Sequence, residues 1–175
     1  MDLTTIVVNV ANAIVEFQSL AGIAAFGIGI YYVYLAIGNA IKASKAPGGG
    51  DVTAGAIFGP LLIGSLLLDF GSSMGGVFSS MSGEEGRTYG MVAYPGASVA
   101  GKFEPAINAA LTIASTFGWW YGLKGWLMWK KASEGGGNGY NDFTWKGFIH
   151  ILGGAALINI VSTIQAFQAT TGIAF

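Results

Sequence analysis

Residues 42–51 read KASKAPGGGD and residues 131–140 read KASEGGGNGY, each just after a run of apolar and aromatic residues. The flanks repeat as well. A slide of 89 residues places Lys42, Ala43 and Ser44 on Lys131, Ala132 and Ser133; it also places Gly29 on Gly118 and Ile30, Tyr31 and Tyr32 on Trp119, Trp120 and Tyr121. A two-residue adjustment matches Gly48–Gly50 with Gly135–Gly137, and a further small one aligns Thr53 with Thr144 and the apolar runs that follow. An internal repeat is the economical account; the alternative is two unrelated loops that converge on the same membrane punctuation. On the repeat reading each half is a helical hairpin: an aromatic-rich helix, a basic glycine loop, and a second helix rich in small residues.

Composition sets the solvent. Hydrophobic residues make up 53% of the 175 positions and charged residues only 10%, against about 25% charged in an ordinary soluble domain. Such a chain belongs in a bilayer or an obligate assembly. The net charge of −1 gives no basic excess for bulk nucleic-acid binding. With no cysteine and a single His150, thiolate chemistry, cysteine-ligated metals and most histidine-based metal sites are excluded.

The expected fold is all-α, with four apolar membrane-length helices arranged as two tandem hairpins. Residues 1–82 hold the first hairpin, 83–105 a polar linker and 106–175 the second. The runs 20–41, 52–68, 106–129 and 147–167 supply the helices, since about 20 residues at 1.5 Å each cross a hydrocarbon core. Ahead of the first run, Thr5, Asn9, Asn12, Glu16 and Ser19 fall on one line and Ile6, Val10, Ala13 and Phe17 on another. That spacing predicts an amphipathic N-terminal helix. The start lacks a positive n-region and is read as retained.

Charge orients the hairpins. Lys42, Lys45, Lys124, Lys130, Lys131 and Lys146 sit in or beside the two hairpin loops, whereas the linker mixes Arg87 and Lys102 with Glu84, Glu85 and Glu104. The positive-inside rule puts both loops in the cytoplasm. Lys42, Lys45, Lys130, Lys131 and Lys146 are the candidate contacts to lipid headgroups or to a lumen; the plainer alternative makes them topology determinants only. Gly55 and Gly59, Gly71 and Gly75, and Gly118 and Gly122 each lie four apart, a spacing that lets helices approach closely within or between chains.

Little points to catalysis. Neither glycine loop leads into the GK[ST] of a P-loop, and the adjacent Glu84 and Glu85 diverge on a helix. His150 with Asp69 is the remaining pair, a candidate proton path in a small transporter.

An apolar helix, a short basic loop and a second apolar helix resemble the pilins of conjugative type IV secretion systems, with KASKAPGGGD and KASEGGGNGY as two lumen-facing loops. In length and organisation the chain, including its MDLTTIVVNVANAIVEF start, also resembles the small polytopic TraQ and IcmC/DotE group of type IVB (IncI-type) conjugation systems. Two hairpins and no evident leader depart from the pilin plan. The resemblance implies a non-enzymatic subunit of a pilus that polymerises from the inner membrane, or a permanent inner-membrane channel or assembly component of the same machine. It implies bound phospholipid and otherwise no cofactor. The implied partners are further copies of the chain, phospholipids, other secretion-system components, and transient non-specific contact with single-stranded DNA in the lumen.

Overall fold

A computed structural model describes residues 3–45, 52–134 and 140–172, and all regular structure among them is helical. In order these are α1 (Leu3–Lys45), α2 (Ala54–Leu68), α3 (Phe70–Ser82), a 3-10 segment (Pro95–Phe103), α4 (Glu104–Glu134), α5 (Tyr140–Ile158) and α6 (Ile160–Thr171). The glycine triplets at 48–50 and 135–137 lie outside the described residues.

The expected four membrane-length helices are replaced by a different division. Among the described residues one helix, α1, is long and apolar enough to cross a membrane. The pairs α2 with α3 and α5 with α6 reach that standard only if each counts as one span, because they bend by 96° and 93°. The bends fall at Asp69 and Asn159, polar residues that leave helical geometry at φ −122°, ψ 66° and φ −102°, ψ 42°. Length is not what α4 lacks, at 31 residues; its Trp, Tyr, Thr, Asn and Lys content lowers its apolarity. The amphipathic extension is likewise no separate element, since α1 runs unbroken for 43 residues.

The two halves are built alike. Gly29 lies against α2, where a Cβ would stand 2.9 Å from the Gly64 carbonyl oxygen and 3.0 Å from the Leu68 nitrogen. Gly118 lies against α5 in the same way, 2.8 Å from the Gly154 oxygen and 2.7 Å from the Ile158 nitrogen. Each bend frees carbonyls that the continuing helix would have used, and a downstream hydroxyl takes one of them. Ser73 Oγ donates to the Leu66 carbonyl at 2.7 Å, and Thr163 Oγ1 donates to the Ala156 carbonyl at 2.9 Å. These equivalences put the second helices 90 residues apart, so the Thr53 to Thr144 alignment is one residue out. The roles differ too: Thr53 caps α2 through the Ala56 N–H, whereas Thr144 lies within α5.

Inside α2, Pro60 removes the N–H that would have bonded to the Ala56 carbonyl. Asn39 Nδ2 donates to that oxygen at 2.9 Å, so the helix continues without an orphaned acceptor.

Between the hairpins, α1 and α4 run parallel. Gln18 Nε2 donates to Thr116 Oγ1 at 2.9 Å, and the Lys130 ammonium stands 4.8 Å from the centre of the Tyr32 ring, a register of 98 residues at both contacts. Sequence equivalence is 89 residues, so the second hairpin is displaced along α1 by about nine residues, or about 13 Å at 1.5 Å each. Trp119 fills the junction of the halves, fully buried, with its ring centre 5.6 Å from Phe70 and 4.3 Å from Tyr89.

Candidate functional site at the helix breaks and the lysine end

The polar linker is an irregular loop followed by a short 3-10 segment, with Glu84, Glu85, Thr88, Met91 and Ala93 exposed, and its backbone is pinned at several points. Residues 85–94 form no helix or strand, and an irregular backbone packed among helices must find partners for its N–H groups. Four side chains, from α1, α4 and the α5–α6 bend, supply acceptors. Asn159 Oδ1 accepts from Arg87 N at 2.6 Å, and Gln18 Oε1 from Gly90 N at 2.9 Å. Thr112 Oγ1 accepts from Val92 N and Asn108 Oδ1 from Tyr94 N, both at 2.9 Å. Gln18, Thr112 and Asn159 have no exposed surface. Asn159 stands between Ile158 and Ile160 within an apolar run, whereas Gln18 lies beside Glu16 and Ser19 and Thr112 near Ser115 and Thr116, so those two carry no distinct signal in the sequence.

Beside the pinned linker lies a cavity of about 780 Å³ between α1, the α2–α3 bend and residues 85–89. Its polar wall carries Asp69, Glu85 and Arg87, and its apolar wall includes Ile23, Phe26 and Phe70. Asp69 is already engaged, accepting from Ser72 N at 3.2 Å to cap α3. The Arg87 guanidinium donates to the Met91 carbonyl at 2.6 Å, and partial burial lowers its pKa. Tyr89 reaches from the linker to Gly22, where its hydroxyl fills the space a side chain would need. Burial, and then the charge of Asp69, raise its pKa above that of a free phenol.

Asp69 lines this cavity and His150 does not. His150 Nδ1 instead stands 2.7 Å from the Lys146 carbonyl oxygen, and its ring packs against Tyr121. The structure therefore does not bring the candidate proton pair together.

The candidate lysines gather toward one end, in two tiers set by the stagger of the hairpins. Lys42 and Lys45 close α1 and are exposed; Lys130 and Lys131 lie near the end of α4, about 13 Å lower along α1. Lys130 is turned inward, paired with Glu134 at 2.6 Å and set over Tyr32. Lys146 pairs with Asp142 at 2.7 Å. Among the described residues Lys42, Lys45 and Lys131 have no acidic partner, so they are the members of the set free to meet an outside anion.

The glycine pairs face other parts of the chain. Gly55 and Gly59 of α2 lie against Ser133 of α4, Gly118 against Gly154 of α5, Gly122 against Met74 of α3, and Gly71 and Gly75 face Tyr89 and Gly86 of the linker at ordinary contact distance. Comparisons of the chain with family models, with characterised proteins and with solved structures find no match.

Proposed function

We propose that the chain is a structural, non-enzymatic membrane protein: a permanent inner-membrane component of a type IVB-like conjugation or secretion machine. The observation that carries this reading is the use of the glycine pairs. Four glycines that a polymerising subunit would offer to its neighbours, Gly55, Gly59, Gly118 and Gly122, are closely packed within the chain against α3, α4 and α5, while Gly71 and Gly75 stand at ordinary contact distance from the linker. The pinned linker supports it as well, since it ties both hairpins into one unit. Lys42 and Lys45, the exposed pair at the end of α1, then serve as anchors to anionic headgroups on the cytoplasmic side.

A second reading, the pilus subunit, draws on the large apolar surface that α1 leaves bare. Shearing cells and fractionating them separates the two. The chain is expected to stay with the inner membrane, and electron micrographs of the purified material are expected to show detergent-bound particles. Filaments built from this chain would overturn the resident reading in favour of the pilus.

A further inference from the structure

The internal repeat extends to the seat of the linker. On the second half the linker backbone lies between α4 and the α5–α6 bend, held by Asn108 and Thr112 of α4 and by Asn159 at the bend. The offsets of 89 residues for the first helices and 90 for the second carry these three positions onto Ser19, Ile23 and Asp69. All three line the cavity of about 780 Å³ between α1 and the α2–α3 bend. The cavity is therefore the first half's copy of a site that, on the second half, holds a stretch of irregular backbone. Two of the three positions keep a side-chain acceptor, Ser19 for Asn108 and Asp69 for Asn159, while Ile23 replaces Thr112.

The two sites differ in charge. Asn159 is neutral and fully buried, with Oδ1 accepting from Arg87 N and Nδ2 donating to the Ala155 carbonyl at 2.9 Å. Asp69 is exposed; one carboxylate oxygen caps α3 through Ser72 N, and the other has no partner among the described residues. Glu85 is exposed on the same wall, and neither carboxylate belongs to an ion pair among the described residues. Arg87 lines the wall without neutralising them, since its Nη2 donates to the Met91 carbonyl and its Nη1 is buried. Across the cavity Ile23 and Phe26 are 68% and 50% exposed. One wall thus calls for N–H donors and a positive charge, the other for apolar atoms.

We propose that this cavity docks an irregular, basic peptide segment of a partner protein, which lies on α1 and the α2–α3 bend as the chain's own linker lies on α4 and the α5–α6 bend. A backbone N–H of that segment meets the free Asp69 oxygen, as Arg87 N meets Asn159. An Arg or Lys beside it is set between Asp69 and Glu85, where hydrogen bonds to a carboxylate are charge-assisted and strong. Neighbouring side chains then cover Ile23 and Phe26. The linker of the same chain does not serve as this guest, because its residues 85–89 form the facing wall.

The probe is the peptide GRTYGMVAY, residues 86–94 of the chain itself, blocked at both ends and carrying a neutral fluorophore. It is titrated with the full-length chain in detergent and followed by fluorescence anisotropy. Saturable binding is expected, weakened about tenfold or more in D69N, which removes the charge and places at this bend the residue type found at the other. Asparagine caps a helix as well as aspartate does, so α3 keeps its start. S72W, from an exposed position on the cavity wall, is expected to abolish binding. Elution and far-UV circular dichroism matching the parent establish that both variants are folded. The R87E peptide, and the peptide N-methylated at that arginine, are both expected to bind more weakly than the parent peptide. Absence of saturable binding to the parent chain overturns the proposal, as does an affinity unchanged by both D69N and S72W. Equal binding of the N-methylated peptide reduces the site to a simple cation contact and overturns the backbone docking.

Discussion

Gly153 and Gly154 are neighbours on α5 with opposite surroundings, and alanine at each is expected to move stability in opposite directions. A Cβ at Gly153 meets nothing within 4 Å, whereas one at Gly154 stands 2.7 Å from Gly122 N, 2.8 Å from the Gly118 oxygen and 2.9 Å from Gly122 Cα. Alanine gains about 1 kcal/mol over glycine in a helix interior at either position. At Gly153 that gain is all there is. At Gly154 the three crowding atoms are backbone, so no rotamer change relieves them and α4 and α5 must separate. Overpacking costs about 1–3 kcal/mol, and a rigid contact of this kind belongs near the upper end. The net is a gain of about 1 kcal/mol for G153A and a loss of about 2 kcal/mol for G154A. For a chain of this size these become a rise of about 2–4 °C and a fall of about 4–8 °C in Tm. Thermal unfolding in one detergent, followed by far-UV circular dichroism, measures both. G154A as stable as the parent, or the two variants shifting together, would refute the glycine-to-backbone contact between α4 and α5.

Removing the pins should free the linker before it unfolds the bundle. N159L leaves the Arg87 N–H without its acceptor, and Q18L does the same to the Gly90 N–H; each should cost about 1–3 kcal/mol. Limited trypsin digestion is the check, with cleavage after Arg87 expected to quicken in both variants and an unchanged rate counting against the pinning. Tyr89 should make stability fall in alkali. Between the free-phenol pKa near 10 and its own raised value, the unfolded chain has lost this proton while the folded one keeps it, so the contribution present below the free value is lost as pH rises. Denaturation midpoints taken across that window should flatten in Y89F, and an identical slope in the variant would assign the effect elsewhere.

Much of the architecture was legible because it follows from repetition and periodicity. Gly29 and Gly118, found by sliding one half on the other, turned out to occupy equivalent packing positions against Gly64 and Gly154. The bends were not legible as bends. Asp69 was visible as an interruption, but Asn159 was absorbed into an apolar run, and nothing local distinguishes a polar residue that turns a helix from one that faces a partner. The linker is legible as a polar loop and short helix, but its pinning is not, because the acceptors Gln18, Asn108, Thr112 and Asn159 are distant in sequence and nothing in the linker itself points to them. Lysine placement toward one end was readable from charge. The inward turn of Lys130 depends on Tyr32 and Glu134 meeting it across a packing register that no single helix encodes.

The axial offset between the halves governs how copies can add. Two like units related by a turn and an advance along the axis are related by a screw, and a screw repeated does not close on itself. If neighbouring chains reused the contact that joins α1 to α4, each addition would climb by about another 13 Å for every hairpin, and a flat bilayer about 30 Å thick is exhausted within one chain. In a membrane this contact is consequently self-limiting, and growth from it requires leaving the bilayer plane.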